Sequence, residues 1–360
     1  MRPIVAAFVV TRVALVVTLL AAQIFFTPAE WASSLDASAN PILAGLARWD
    51  GAAYLDIAQR GYEDPESASN GAYAPLYPLL MRVGGIALGG SSDAYLIAGV
   101  LISNAALLVA LRSLVLLAAP RIGAGRARHA AMYLLVFPTT LVLSAVYAEA
   151  LFLALAVTSA LEAERARWWR SGIFAALAAL TRPFGVLAVI PLAIALVRAR
   201  SRVPAAAWLA AALAPLALLG WAGYLYRISG DPLRVMHVYA AWESKRLRSP
   251  LQAFTDLFDP AIYVFPWFVL VLIVIFVGLV AASWRIAGAG SGAYATASLL
   301  LISSSGSLTS SMRYELALYP AFIVLGAVTG RPWAYVLWMT ASTLLALVFT
   351  ALFVLWYWVG

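Results

Sequence analysis

Apolar residues run through this chain in long stretches separated by short polar clusters. A helix that crosses a bilayer needs about 20 apolar residues, and the runs at roughly 3–26, 93–118, 204–226, 261–284 and 332–358 fit that length. The run from Ala130 to Leu161 does not, being too long for one crossing and short for two. Arginines flank it on both sides: Arg121, Arg126 and Arg128 before, Arg165, Arg167 and Arg170 after. Basic loops face the cytoplasm, so the chain returns to the side it left. The run therefore predicts a hairpin of two short helices turning near Val146-Tyr147-Ala148-Glu149.

The pattern occurs twice more. The run from Gly172 to Val197 lies between Arg165–Arg170 and Arg198, Arg200 and Arg202, and is interrupted at Thr181-Arg182-Pro183. Proline disfavours helical geometry in the residue before it, which places the turn there. The stretch from Gly292 to Gly330 lies between Arg285 and Arg331 and is broken over Ser303–Arg313. The hairpin tips put Glu149, Arg182 and Arg313 on the non-cytoplasmic side, where irregular backbone is tolerated if it lines a cavity.

The rest of the topology follows. Met1 and Arg2 are inside, residues 27–92 form a large first outer loop, and residues 227–260 form a second. Pro75-Leu76-Tyr77-Pro78-Leu79-Leu80 reads as a short helix at the interface. Residues 1–360 read as a single all-α polytopic membrane domain with about eleven spans. The initial run, Pro3 to Phe26, is too long for a signal-peptide core and reads as a retained span. Arg12, inside it, is expected to snorkel to the cytoplasmic surface.

Composition agrees. Hydrophobic residues make up 64% of the chain and charged ones 11%, against about a quarter charged in soluble domains. The net charge of +8 resides mostly in short clusters between apolar runs, which is a topology signal and not a nucleic-acid footprint. The absence of cysteine excludes disulfides, thiolate metal sites and cysteine nucleophiles, and two histidines are too few for a histidine metal centre.

Candidate chemistry gathers on the outer side. In Arg48-Trp49-Asp50-Gly51-Ala52-Ala53-Tyr54, Asp50, Tyr54 and Ile57 share a helical face while Asp56 points elsewhere. A carboxylate beside a tryptophan at a membrane surface suits deprotonation of a sugar hydroxyl; the alternative is a helix cap beside a belt tryptophan. The second loop carries His237, Lys245 and Arg246 among its basic residues. These suit an anionic ligand or, alternatively, anionic headgroups. Arg182 and Arg313 cost roughly 2.5–3.5 kcal/mol in the membrane even on lenient scales, so they should face a cavity or a partner. The plain alternative for Arg182 is a pair with Glu149 across two hairpin tips. A base, aromatic platforms and cations are what glycosyl transfer from a lipid phosphate needs. The acceptor hydroxyl loses a proton, and the phosphate departs as an anion that cations stabilise. No Walker loop or Rossmann glycine pattern points to a nucleotide.

Several segments together resemble the PIG-V mannosyltransferase family, whose eukaryotic members add mannose to the GPI precursor. They are Arg48-Trp49-Asp50-Gly51, Pro75-Leu76-Tyr77-Pro78-Leu79, Phe137-Pro138 with Tyr147-Ala148-Glu149-Ala150-Leu151-Phe152, Thr181-Arg182-Pro183 with Gly185, Gly230-Asp231-Pro232-Leu233 with Trp242, and Arg313-Tyr314 with Pro320. The resemblance implies a GT-C fold, a polyprenyl-phosphate-mannose donor, direct displacement with inversion, no metal or other cofactor, and Asp50 as the base. Arg182, Arg313, Lys245 and Arg246 are the candidates for the donor phosphate. Trp49, Tyr54, Glu149, His237 and Tyr314 are those for the sugar and acceptor. The Ala- and Arg-rich composition suggests a bacterium, and hence a plasma-membrane enzyme with its site facing outward and a glycolipid or cell-envelope glycan as acceptor. A transporter or flippase for a lipid-linked sugar is the competing expectation. It would distribute polar groups across the bilayer, whereas here they gather on one side, apart from Arg12.

Overall fold

The computed structural model describes residues 1–29, 36–63, 70–241, 252, 254–255, 257–258, 266–304, 308 and 310–359. Every regular element among them is helical. Five helices are long and apolar enough to cross a membrane: α1 (Arg2–Phe25), α5 (Ser92–Ile122), α10 (Trp208–Ser229, entered through a turn at Ala205–Ala207), α12 (Pro266–Ile286) and α16 (Pro332–Val354). On α1 only Ile4, Leu15, Leu19 and Ala22 are buried, while Val9, Val10, Val13 and Val17 are exposed. So much outward apolar surface requires lipid as its solvent. The chain is a multi-pass membrane protein.

Each of the three awkward runs is two short helices with a break between. The first is α6 (Ala124–Leu135) and α7 (Glu149–Glu164) around a 3-10 turn at Thr140–Leu143. The second is α8 (Trp168–Ala179) and α9 (Ile190–Arg198) around a 3-10 turn at Pro183–Val189. The third is α13 (Ala289–Ser303) and α15 (Tyr319–Val328) with the single turn α14 (Ser311–Glu315) between them. The first loop carries three short helices: α2 (Pro41–Leu46), α3 (Asp50–Arg60) and α4 (Leu76–Ala87). Tyr77 and Met81 of α4 are buried while Leu79, Leu80, Val83 and Ile86 are exposed. At twelve residues α4 is about 18 Å long, too short to span, as its sequence predicts. In the second loop, α11 (Arg234–Ala241) precedes residues outside the described set.

Helix α7 is the central post, packed between α5 and α8 and buried along nearly its whole length. Small residues let its neighbours approach. Ser159 Oγ donates to Ser171 O at 2.9 Å, Ser171 Oγ donates back to Ser159 O at 2.9 Å, and Gly172 lies against the Ala210 carbonyl of α10.

The three breaks meet at one end of α7, joined by named hydrogen bonds. Val146 N donates to Leu46 O (2.9 Å), tying the first break to the first loop. Leu76 N donates to Leu180 O (2.8 Å), tying that loop to the second break. Thr139 Oγ1 donates to Met312 O (3.0 Å), tying the first break to the third. A broken helix leaves carbonyls without partners, and Arg12 satisfies one. Its Nη2 donates to Leu135 O and Thr140 Oγ1 (both 3.1 Å), and its Nη1 to Ser144 Oγ (2.9 Å). Arg12 therefore turns inward to plug the first break, where the sequence suggests snorkelling. The carbonyl at the end of α6 is a better partner than distant water.

The last run also ends early. Helix α16 stops at Val354, and Trp356 adopts a left-handed φ of 67° that turns the chain back over the first loop. Ala29 N donates to Leu355 O at 3.1 Å, fastening the turn there.

Candidate active site

Asp50 is the first residue of α3, so its carboxylate sits at the positive end of that helix. The residue before it, Trp49, has φ 58°. That uncommon conformation turns the chain so that α3 starts directly over the first break. Beneath it the buried Tyr147 hydroxyl donates to Arg48 O (3.1 Å) and accepts from Asp50 N (3.3 Å). Tyr147 is itself held through its carbonyl by Ser103 Oγ (3.1 Å). The Asp50 backbone is thus fixed by an element nearly a hundred residues away.

The N-cap position of α3 belongs to Trp49, and the Asp50 side chain reaches toward the hairpin tips. Its Oδ2 lies 2.5 Å from Arg313 Nη1, and its Oδ1 accepts from the Tyr73 hydroxyl at 3.2 Å. Arg313 Nε lies 3.2 Å from Glu149 Oε1, and the same oxygen receives Arg182 Nη2. The result is a continuous chain of alternating charge: Asp50, Arg313, Glu149, Arg182. The three inner members are nearly sealed, with side chains 4–10% exposed, whereas Asp50 keeps 23%. The pairing of Arg182 with Glu149, weighed from the sequence as the plain alternative, is present. Both arginines nonetheless line the cleft.

The local sequence explains how Arg182 is presented. Ahead of Pro183 it is extended (φ −153°, ψ 142°), as the pre-proline clash requires. Gly185 then lets the turn lie on the end of α8; a Cβ there would fall 2.0 Å from Ala178 O.

The cleft opens between the first loop and these tips. Asp50, Tyr54 and Tyr73 form one side, and Arg182, Phe184, Arg313 and Tyr314 the other. Trp358 from the turned-back end of the chain joins them. The Tyr314 ring lies 5.1 Å from each guanidinium carbon, of Arg182 and of Arg313. Tyr54 is buried edge-on against Tyr73 and Tyr77.

Not every candidate arrives. Trp49 is absent from the cleft lining and packs behind it, 5.5 Å from Trp356 and 5.2 Å from Trp358. His237 is exposed, with Nδ1 2.7 Å from Asp231 Oδ2; its hydrogen bond holds the Asp231 carboxyl below the usual carboxylate range. Lys245 and Arg246 lie outside the described residues. Asp56 serves a separate cluster, accepting from Asn70 Nδ2 at 2.6 Å and pairing with Arg60 at 3.2 Å. Among the described residues no group of three His, Cys, Asp or Glu is placed to hold a metal ion.

Tyr73, Tyr147 and Trp358 escaped the sequence reading as site residues. Tyr73 stands two residues before Pro75 and Tyr147 two residues before Glu149, so nearness to those motifs is the available signal. Trp358 had none, since it ends an apolar run.

A model of the mannosyltransferase (PIG-V) family matches residues 5–200, more than half of the chain. The protein belongs to that family. The stretch similar to GPI alpha-1,6-mannosyltransferase 2 of Cricetulus griseus is 33% identical over 177 residues, covering 46% of this chain and 34% of that protein. The Rattus norvegicus protein of the same name matches at 33% over 177 residues, with 35% of its length covered. The chain thus matches about a third of the length of these curated relatives. Among solved structures, ArnT from Cupriavidus metallidurans in the apo state aligns with TM-score 0.54 at 16% identity. The alignment covers 94% of this PIG-V family chain and 62% of ArnT. ArnT bound to undecaprenyl phosphate aligns equally well, at 14% identity. The fold is therefore the GT-C glycosyltransferase fold that the resemblance implies.

Proposed function

We propose that this PIG-V family member is an inverting mannosyltransferase that uses a polyprenyl-phosphate-mannose donor and a glycolipid or cell-envelope glycan acceptor. The observation that carries the reading is the Asp50–Arg313–Glu149–Arg182 chain at the cleft. Its two carboxylates and two guanidiniums balance. A donor phosphodiester adds one negative charge, and when Asp50 takes the acceptor's proton the protein side becomes one unit more positive, matching the negative charge that the leaving phosphate gains.

That is what the reaction requires of it. The acceptor hydroxyl gives its proton to Asp50 as its oxygen bonds to the anomeric carbon from the side opposite the phosphate. The bond from that carbon to the phosphate oxygen breaks, and the polyprenyl phosphate leaves with one more negative charge. Arg313 and Arg182 stabilise that charge. Arg313 thereby passes from Asp50 toward the phosphate as Asp50 becomes neutral. Glu149 keeps both guanidiniums in place, Tyr73 orients the carboxylate, and Tyr54 and Tyr314 shape the walls. The solved complex of ArnT with undecaprenyl phosphate supports a polyprenyl lipid as the class of carrier.

The orientation rests on charge. Glu149 and Glu162 are thirteen residues apart on α7, about 20 Å. Around the far end stand Arg121, Arg165, Arg167 and Arg170. Basic ends face the cytoplasm, so the cleft faces outward from a bacterial plasma membrane.

The test is incubation of purified protein with polyprenyl-phosphate-mannose and a membrane lipid extract, followed by mass spectrometry. A lipid or glycan gaining one hexose with release of polyprenyl phosphate is expected. Movement of unaltered donor between leaflets, with no transfer, would replace this reading by that of a lipid transporter.

A further inference from the structure

The Arg48-Trp49 half of the sequence motif is not used by the chemistry just described, and its contacts show where it is spent. Arg48 is 3% exposed, paired with Asp36, and lies over the Trp356 ring at 4.7 Å. Burial pulls its guanidinium down to about 10, so it is still a cation at neutral pH. Trp49 meets Trp356 at 5.5 Å and Trp358 edge-on at 5.2 Å. On the opposite flank, Arg313 lies 5.0 Å from the Trp358 ring. The two touching tryptophans, Trp49 and Trp356, are two of the three described non-glycine residues with positive φ. For bulky side chains that conformation is costly, and it persists where surroundings over-determine it, most often at functional sites. Two such residues hold one short segment, and that segment delivers one ring to the cleft: Trp358.

We infer that Trp358 is a sugar-binding residue, the wall against which the hexose of the donor lies, and that Arg48, Trp49 and Trp356 are its positioning residues. This rests on the proposed use of a polyprenyl-phosphate hexose. A hexose is bonded directly to its phosphate, so with the phosphate on Arg313 the sugar lies within a few ångströms of that guanidinium. Three rings lie over the Arg313 guanidinium: Tyr147 at 5.6 Å, Tyr314 at 5.1 Å and Trp358 at 5.0 Å. Tyr147 is fully buried beneath Asp50, and Tyr314 lies beside both guanidiniums that would hold the phosphate. Trp358 is half-buried, lines the cleft and touches Arg313. An indole offers a broad apolar face for the C–H face of a pyranose together with a polar N–H edge.

The experiment measures binding, so that it reads independently of turnover. The full chain in lipid nanodiscs is titrated with polyprenyl-phosphate-mannose and, separately, with the same polyprenyl phosphate lacking sugar. The bare lipid carries one more negative charge on its phosphate, so the readout is how a substitution changes each affinity and not which lipid wild type prefers. Trp358→Leu should weaken the sugar-bearing lipid by about tenfold and leave the bare lipid within about twofold, and Trp358→Phe should keep most of the wild-type affinity for the sugar-bearing lipid. In a second measurement, hydroxyl-radical footprinting of wild type should show Trp358 protected by the sugar-bearing lipid and not by the bare one. Unchanged affinity for the sugar-bearing lipid in Trp358→Leu, an equal loss for both lipids, or equal protection by both lipids overturns the assignment. Failure of wild type to transfer hexose would strike the proposed activity instead, and leaves the binding comparison readable.

Discussion

Helix α7 carries a buried glutamate near each end, and the two are held in opposite ways. Glu162 takes Arg165 at 3.0 Å, Arg167 at 3.3 Å and Arg170 at 3.9 Å, all within eight residues along the chain. Those side chains are 39–67% exposed. Glu149 takes Arg182 and Arg313, 33 and 164 positions away, with side chains 10% and 4% exposed. The first cluster follows from local sequence and its arginines reach into water, where ion pairs contribute little. The second requires three separate hairpins to be in register, and it sits where an unpartnered charge is expensive. Charge at the Glu162 end fixes how the chain lies in the membrane; charge at the Glu149 end is arranged around something the protein handles.

The sharpest way to break that contrast is to remove the proton acceptor. Asp50→Asn is close to isosteric and keeps the Tyr73 and Arg313 contacts available, so folding and binding of bare polyprenyl phosphate should stay within a few-fold. Transfer should fall by about 10³, the scale of a lost general base, in a mass-spectrometric assay of product. Near wild-type transfer by that variant would move catalysis away from the Glu149 end altogether.

Next in size is the loss of the shared guanidinium. Arg313→Met is expected to destabilise the protein by about 3 kcal/mol, the lower end for breaking a buried pair. The lower end applies because Glu149 keeps Arg182 and Asp50 is partly hydrated. Adding Asp50→Asn to Arg313→Met should recover part of that loss, since the two residues share one contact. Denaturant unfolding in detergent reads both, and strictly additive losses would mean that the pair is not coupled.

How much of this contrast was legible in the sequence depends on how local its cause is. The five long spans and the three interrupted runs could be read because length and arginine flanks are properties of contiguous sequence. Arg182 could be placed at a tip because Pro183 acts on the residue before it. The partners of Glu149 could be listed but not paired, since which arginine reaches which carboxylate depends on how three hairpins pack. The inward turn of Arg12 is hidden from the sequence for the same reason: its partners, the Leu135 carbonyl and the Thr140 and Ser144 hydroxyls, become acceptors only where α6 breaks. Trp358 was invisible because a left-handed residue two positions earlier, and not composition, takes it out of its helix.

Gly185 tests whether backbone packing, and not charge alone, sets the Glu149 end apart. In Gly185→Ala the new Cβ would lie 2.0 Å from Ala178 O and within 2.9 Å of Ala179 N. The obstacle is one rigid peptide group and not a flexible side chain, which leaves little room for relaxation, so the turn carrying Arg182 must shift. An overpacking cost of about 1–3 kcal/mol is expected, together with several-fold weaker binding of polyprenyl phosphate as Arg182 leaves the cleft. Unfolding and lipid titration separate the two effects. Weakened stability with unchanged lipid affinity would detach Arg182 from phosphate binding.

The smallest expected effect lies at the other end of α7. Arg167 is half exposed and 3.3 Å from a carboxylate that also has Arg165 at 3.0 Å. Arg167→Ala therefore leaves Glu162 paired, and the cost should be no more than about 0.5 kcal/mol, as for exposed ion pairs generally. What remains should shrink further as salt is raised, because solvent-exposed charges are screened over about 10 Å at 0.1 M. The Glu149 pairs are sealed from that screening, so the loss in Arg313→Met should change little over the same salt range. Unfolding both variants at low and high ionic strength thus compares the two ends directly. A large, salt-insensitive loss in Arg167→Ala would make the arginines around Glu162 as sealed from solvent as those around Glu149 and remove the distinction between the two ends.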